Sequence, residues 1–414
     1  MNIGLFADTY FPQINGVATS TKILEQELTK LGHKVYIFTT TDPKAPKNEP
    51  GIYRLPSMPF TFLPSHRMTF IYPPKLLAGM KKFNLDIIHT QTEFPIGIFG
   101  RIVSSFYKIP SVHTYHTMYE DYVHYIANGH LITPKMAQRY SRVFCNKANA
   151  VIAPADKAKD YLEKIGVKKP VSVIPTGLLF EPFMRGKYSQ DELNSAKLSV
   201  GLNLSDPVIV NIGRIAQEKS LDVVVNQMPA VLRSLPNAKL LIVGDGPKRL
   251  ELIELSKSLG IEHSVLFPGA KPWSEIGKYY QLGDVFVSAS TSETQGLTYV
   301  EAMAAKVPVI AKKDRSVENV IIDGVTGYYF EKDEELPMVL CNALSCQEKR
   351  TTIANTALGH IAHLSSENFG KSVEALYMDV LANTGPRPHR KFKKITLEMF
   401  ESGSKFLGFG KKGF

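Results

Sequence analysis

The sequence predicts an α/β protein made of two wound parallel sheets, and three observations carry that prediction. Short apolar runs alternate with helix-patterned stretches along the chain. The alternation restarts after a polar, irregular segment at residues 178–206, which reads as a linker. The chain has 414 residues, 44% hydrophobic and 21% charged, enough for two cores rather than one.

In the first half, NIGLFAD reads as a buried strand and Asn15-Gly16 as a turn. Val17 to Leu31 reads as an amphipathic helix stopped at Gly32. Then come KVYIFTT (strand), KLLAGMKKF (helix), LDIIHTQ (strand), GIFGRIVSSFYK (helix) and PSVHTYH (strand), with AVIAPA and VSVIPTG as later strands. Strands this short and apolar, alternating with helices, imply a parallel sheet covered on both faces. The second half repeats the logic with VIVNIGR, AKLLIVGDG, SVLFPG, DVFVSAS and VPVIAK. The expected architecture is two Rossmann-like domains facing across a cleft, residues 1–178 and 205–361, with ligands beyond the carboxyl ends of the strands.

Composition narrows the function. MNIGLFADTYFP lacks a basic n-region and carries Asp8 within its apolar run, so it reads as a first strand rather than a signal peptide. No window approaches the roughly 18 unbroken apolar residues of a spanning helix. Cys145, Cys341 and Cys346 form no zinc or disulfide pattern, which fits a reducing cytoplasm. The net charge is +10, and residues 386–414 hold eight Lys/Arg against two Glu. This basic tail, counted from residue 385, is interleaved with Phe, Leu and Met. It suits an anionic membrane surface; it would equally suit a solvated terminus. No helix-turn-helix, RRM or zinc-finger pattern points to nucleic acid. GFGKKG near the end matches a dinucleotide fingerprint by letter only, since it follows no strand and opens no helix.

Four stretches carry chemistry. In SETQGLTYVEAM, a loop after DVFVSAS leads through Gly296 into a helix, whose unpaired N–H groups favour an anion. Glu293 at the strand end and Glu301 inside the helix can accept hydrogen bonds from sugar hydroxyls. The alternative is a helix-start charge and a surface glutamate. In NIGRIAQEKSLD, Gly213 closes a strand, and Arg214 and Lys219 could neutralise a diphosphate and stabilise it as a leaving group. The chain has no DxD pair for a catalytic metal, so these cations would do the work of Mg²⁺, leaving that ion a non-specific stimulant. In VHTYHTMYEDYVHY, His113 and His116 point to opposite faces of a strand and suit no metal site. His116, nearest the strand end, is the candidate to face a sugar, while His113 reads as a core histidine. In ADTYFPQINGVATST, Asn15, Gly16 and Val17 form a turn into a helix on the opposite domain, a second anion-facing terminus.

Together these stretches resemble retaining glycosyltransferases of the GT-B fold, family 4, over roughly residues 1–380. The resemblance rests on Glu293 and Glu301 as the E-x7-E pair, on Gly213, Arg214 and Lys219, on Asn15-Gly16-Val17, and on the GDGP turn at Gly244 to Pro247. It implies that Glu293 holds the hexose, Glu301 the ribose, and Arg214 and Lys219 the diphosphate. It also implies that the backbone of Gln295, Gly296 and Leu297 meets sugar hydroxyls and phosphate. FPGAK, with Ala270 and Lys271, resembles the family's base-binding segment, and a helix at about 362–384 should cross back onto the first domain. Two departures stand out: Glu293-Thr294-Gln295-Gly296-Leu297 where most members read E-G-F-G-L, and Asn15 where Gly is commoner.

The ETQGLTYVEAM and HTYHTMYEDYVHYIA variants are similar to bacterial diacylglycerol glucosyltransferases. That similarity implies UDP-glucose as donor, diacylglycerol as acceptor and the cytoplasmic face of the membrane as the place of action. It would also give purpose to the tail and to the apolar, basic stretch Arg54 to Lys75, otherwise an ordinary loop. A soluble sugar, a polymer or a protein acceptor on the same fold stays open, as does a non-catalytic nucleotide-sugar binder. Oligomeric state leaves no mark in the sequence. No carboxylate on the first domain is nominated as nucleophile; Glu120 and Asp121 read as lying in a helix beyond His116.

Overall fold

The computed structural model describes residues 1–13, 15–60, 63–69, 74–118, 133–291, 293, 295–315 and 317–384. Glu120, Asp121, the basic tail and GFGKKG lie outside the described residues.

The first domain holds β1 (Asn2–Phe6), β2 (Lys34–Thr40), β3 (Ile52–Leu55), β4 (Met58–Phe60), β5 (Leu63–Met68), β6 (Ile87–Thr90), β7 (Ser111–Thr114), β8 (Ala150–Ala153) and β9 (Val171–Val173). Its helices are α1 (Gly16–Lys30), α2 (Pro74–Gly79), α3 (Pro95–Tyr107), α4 (Pro134–Cys145) and α5 (Asp156–Lys164). The second holds α6 (Gln190–Ser199), β10 (Val208–Ile212), α7 (Leu221–Ser234), β11 (Lys239–Val243), α8 (Arg249–Ser258), β12 (Val265–Gly269), α9 (Ile276–Tyr280), β13 (Val285–Ser288), α10 (Leu297–Ala304), β14 (Val309–Lys312), β15 (Gly327–Phe330), α11 (Leu336–Ser345) and α12 (Gln347–His360). α13 (Ser366–Thr384) returns to the first domain.

The sheets run β3-β2-β1-β6-β7-β8-β9 and β12-β11-β10-β13-β14-β15, parallel throughout. In each, strand order grows outward and then reverses beside the first strand. The reversal opens a crevice between β1 and β6, and another between β10 and β13. Both faces are covered. Ile3, Leu5 and Ile37 pack on the α1 and α13 side, and Phe6, Phe38 and Ile88 on the α3 side. Val208, Val210 and Ile212 face one core of the second domain, and Ile209 the other. Alternate residues thus bury on opposite faces, which is why the strands read as short, largely apolar runs without polar alternation.

Three expectations need correction. The segment read as linker contains α6, started by a capping box in which Ser189 and Glu192 bond each other's backbone N–H. Its Leu193 and Ala196 bury in the second core. The strand read as PSVHTYH ends at Thr114, leaving His116 two residues beyond it. The stretch Arg54 to Lys75 is not one loop: β3 ends there and β4 pairs antiparallel with β5. Arg67 there bonds Ser57 at 2.8 and 3.0 Å.

The two crossings between domains are pinned together. Leu178 N–H donates to Leu364 O at 2.8 Å, and Ser366 N–H to Leu178 O at 3.0 Å. Across the cleft, Lys157 on α5 donates to Asp314 at 2.9 and 3.1 Å, and Asn319 donates to Asp156 at 2.7 Å.

Candidate active site

The candidate residues gather where the strands end. Beyond β10, Gly213 N–H bonds Val243 O at 3.0 Å, and Ile215 N–H bonds Asp245 O at 3.0 Å. Beyond β11, Gly244 (φ 155) lies so close that an added Cβ would sit 1.8 Å from Gly213 O. Only glycine permits that approach, so Gly213 and Gly244 form a single bared ridge of backbone. Gly244 N–H in turn bonds Gly269 O at 3.1 Å, which brings Ala270 and Lys271 to the same edge. The Lys271 ammonium stands 5.3 Å from the Tyr279 ring centre. Arg214 is exposed on the loop after β10.

Lys219 ends a 3-10 turn, Gln217–Lys219, and its Nζ meets Glu293 Oε1 at 2.5 Å. The segment after β10 supplies one partner and the loop after β13 the other, so the pair spans the crevice of the second sheet. Burial would push the Glu293 carboxyl up. The Lys219 charge and hydrogen bond, the Ser290 hydroxyl and the Lys157 charge more than offset it and hold the group below the usual carboxylate range. Glu293 is therefore an ionised acceptor at neutral pH.

Glu301 is different. Burial pushes its carboxyl up to about 7, with only partial relief from the Tyr280 hydroxyl, which donates to Oε2 at 2.6 Å. Gly296 starts α10 at φ 72, where an added Cβ would lie 2.4 Å from the Tyr299 ring. Leu297 is the first helical residue. Gln295 is 7% exposed, and its side-chain amide is bonded to the backbone of Thr176 at 2.8 Å twice over.

On the first domain, Asn15 caps α1 by accepting from Ala18 N–H at 2.9 Å, and it donates to Thr9 at 2.7 Å. Gly16 and Val17 are the first two residues of that helix. His116 donates from Nε2 to Gln91 Oε1 at 2.8 Å. Burial first, then nearby His113, drive its pKa down to about 3, so it acts as a neutral imidazole. His113 is wholly buried between Thr90 and Glu93, and among the described residues no cluster of three or more His, Cys, Asp or Glu could hold a metal.

Some groups escaped the sequence reading. Asp8 and Glu93 are carboxylates at the first domain's strand ends, and both are engaged. Asp8 accepts from Thr92 at 2.5 Å and from Ile96 N–H at 3.0 Å at the start of α3, and Glu93 meets His113 at 3.0 Å. The sequence shows Asp8 only as a charge within the first apolar run, and it lies two residues past the end of β1. Tyr280, Thr176 and Lys157 had no local signal, because their partners lie 21, 119 and 157 residues away.

Two α/β domains with their strand ends meeting at a cleft define the GT-B class of glycosyltransferases, and solved structures of that shape superpose on the chain. An Anabaena protein, Alr3699/HepE in complex with UDP and glucose, gives a TM-score of 0.73 at 17% identity, covering 91% of this chain and 99% of that one. WaaG, a glycosyltransferase of lipopolysaccharide biosynthesis, gives 0.66 at 16% identity, covering 91% and 99%. The chain belongs to glycosyltransferase family 4: residues 14–178 match Glycosyltransferase Family 4 and residues 195–359 match Glycosyl transferases group 1. Two relatives are named alpha-monoglucosyldiacylglycerol synthase. That of Streptococcus pneumoniae is 39% identical over 97% of this chain and 91% of its own length. That of Acholeplasma laidlawii is 33% identical over 94% and 100%.

Proposed function

We propose that the protein is a retaining glucosyltransferase that moves glucose from UDP-glucose to diacylglycerol at the cytoplasmic membrane surface. The Lys219–Glu293 pair spanning the crevice carries this reading: it puts an ammonium and an ionised carboxylate beside a glycine-opened helix start. An ammonium there suits a departing diphosphate, and a carboxylate suits the hydroxyls of the sugar being transferred. The names of the two relatives support diacylglycerol as acceptor.

In the proposed reaction Arg214 and Lys219 hold the diphosphate, Glu293 the hexose and Glu301 the ribose. The backbone of Gly213, Gly244, Ala270 and Lys271 lines the nucleotide side. The C1–O bond to phosphate breaks, and the lipid oxygen bonds C1 from the same face. The lipid hydroxyl proton passes to the departing diphosphate oxygen. Asp8 and Glu93, already bonded within the first domain, favour this route over a covalent carboxylate intermediate.

A surface on the first domain supports the membrane part. α4 exposes Met136, Tyr140 and Val143 together with Lys135, Arg139 and Arg142. Tyr140 donates to the carbonyl of Glu93, next to exposed Phe94. Apolar and aromatic groups set among cations suit the headgroup layer of an anionic bilayer. No helix among the described residues is long and apolar enough to cross a membrane.

The test is transfer of labelled glucose from UDP-glucose to diacylglycerol in vesicles with and without anionic lipid. An α-linked monoglucosyl lipid, formed faster on anionic vesicles, is expected. Glu293→Gln and Lys219→Ala should each lower kcat/KM by about 10²–10³, or roughly 3–4 kcal/mol. UDP release without a lipid product would redirect the search to a soluble acceptor. UDP binding without turnover on any acceptor would overturn the enzyme reading.

A further inference from the structure

Glu293 is held from the other domain on both sides. Two residues before it, the carbonyl of Thr291 accepts from Lys157 Nζ at 2.9 Å. Two residues after it, Gln295 Nε2 donates to Thr176 O, and Gln295 Oε1 accepts from Thr176 N–H, each at 2.8 Å. Lys157 lies on α5 and Thr176 just past β9, so both grips reach across the cleft from the first domain.

The inner grip is built to be permanent while the domains are docked. Gln295 is 7% exposed and Thr176 4%, so water cannot replace either bond. The amide offers one donor and one acceptor to a residue whose backbone N–H and C=O both need partners, which a hydrocarbon side chain could not do. Thr176 is itself a fixed point. Its hydroxyl pairs with Ser20 on α1 at 3.0 Å. Gly177 beside it is packed so closely that an added Cβ would lie 2.6 Å from both Ser365 O and the Phe369 side chain. Leu178 is bonded on both its N–H and its carbonyl to the returning chain. The outer grip is also anchored, since Lys157 holds Asp314 with the same ammonium.

We propose that Gln295 and Lys157 are positioning residues: through them the first domain fixes the place of Glu293, so the sugar-binding carboxylate is correctly set only when the two domains are docked. The inference rests on the reading above that Glu293 faces the donor sugar. Neither side chain is asked to touch the reacting atoms. Their effect should appear in the transition state, where a carboxylate displaced by a fraction of an ångström loses rate more than ground-state affinity.

The experiment compares the full chain with Gln295→Leu, Lys157→Met and each of these combined with Glu293→Gln. With UDP-glucose and diacylglycerol vesicles, each single variant should lower kcat at least tenfold while KM for UDP-glucose stays within threefold. In the Glu293→Gln background the same substitutions should lower kcat less than twofold, because they act through a carboxylate already gone. Losses that multiply in the double variants, or an unchanged kcat in the singles, would overturn the proposal. Backbone hydrogen exchange of residues 295–300 gives a readout independent of the acceptor. It should quicken about tenfold in Gln295→Leu while β10 and β13 keep their protection. If wild type makes no glycolipid, the function reading fails, and the exchange comparison alone decides the clamp. If Gln295→Leu does not fold, Lys157→Met, altered at the cleft margin, decides it.

Discussion

Glu293 and Glu301 stand eight residues apart in opposite electrostatic settings. The first has Lys219 against it and stays ionised; the second has, among the described residues, a tyrosine hydroxyl and no cation, and burial lifts it from 4.5 to about 7. The folded chain therefore binds the Glu301 proton more tightly than the unfolded chain does. Its stabilising contribution is present at low pH and is lost as pH rises from about 4.5 through about 7. At about 1.4 kcal/mol per pH unit, that span is worth on the order of 3 kcal/mol. Glu301→Gln, which keeps an acceptor for Tyr280 but no charge, should raise Tm by several degrees at pH 8 and hardly at all at pH 5. If ribose hydroxyls donate to Glu301, they favour its carboxylate. UDP affinity should then weaken by up to tenfold per pH unit below about pH 7, and Glu301→Gln should abolish that slope. Calorimetric titration at pH 5, 6 and 8 checks both. The spacing of the two glutamates was legible in the sequence. Their contrast was not, because it is set by Lys219 on another strand end and Tyr280 on another helix.

At the scale of elements, the strands were the most legible part of the fold and the junctions the least. β1, β10 and β13 are buried on both faces, so their residues are mostly apolar, and the buried Asn211 within β10 is satisfied by the Val287 carbonyl at 2.8 Å. α6 announced itself only by Ser189 and Glu192, a cap signature weaker than the polar composition around it. The junction into α10 turns on one residue. Gly296 sits at φ 72, and a methyl there would meet the Tyr299 ring, itself fully buried and bonded to Ser288 at 2.9 Å. The ring cannot swing away, so the start of α10 must move. Gly296→Ala should cost about 2–3 kcal/mol from strain and overpacking, and lower kcat/KM by roughly 10²-fold. Gly359→Ala, in α12 with nothing within 4 Å of the new methyl, is the contrast. It should be neutral or stabilising by up to about 1 kcal/mol. Thermal unfolding of the two variants separates the effect of the junction from that of losing a glycine.

The whole molecule is one chain folded out and back, and the return helix belongs to the core of the first domain. Phe369, Val373, Tyr377 and Val380 of α13 pack with Ile3, Leu5, Ile23, Leu24 and Leu28. Tyr377 also meets the buried His89 ring at 2.6 Å, and Ser366 donates to the buried Glu27 at 2.8 Å. Burying four such apolar side chains is worth at most about 6–12 kcal/mol. A domain's entire margin is about 5–15 kcal/mol. Residues 1–178 alone should therefore keep little of the first domain's stability, although its sheet is complete within them. A chain ending at Leu364 should lose the cooperative unfolding transition of the first domain while β10–β15 with α6–α12 keep theirs. Tyr377→Phe, which removes only the hydroxyl from His89, should lower the same transition by about 1–3 kcal/mol and leave the other unmoved. Two calorimetric transitions followed across the three chains would decide it. If the truncated chain kept both at their original temperatures, α13 would be an attachment rather than part of the core. If both fell together, the docking of the domains, through Gln295 and Lys157 among others, would be strong enough to make the two cores unfold as one.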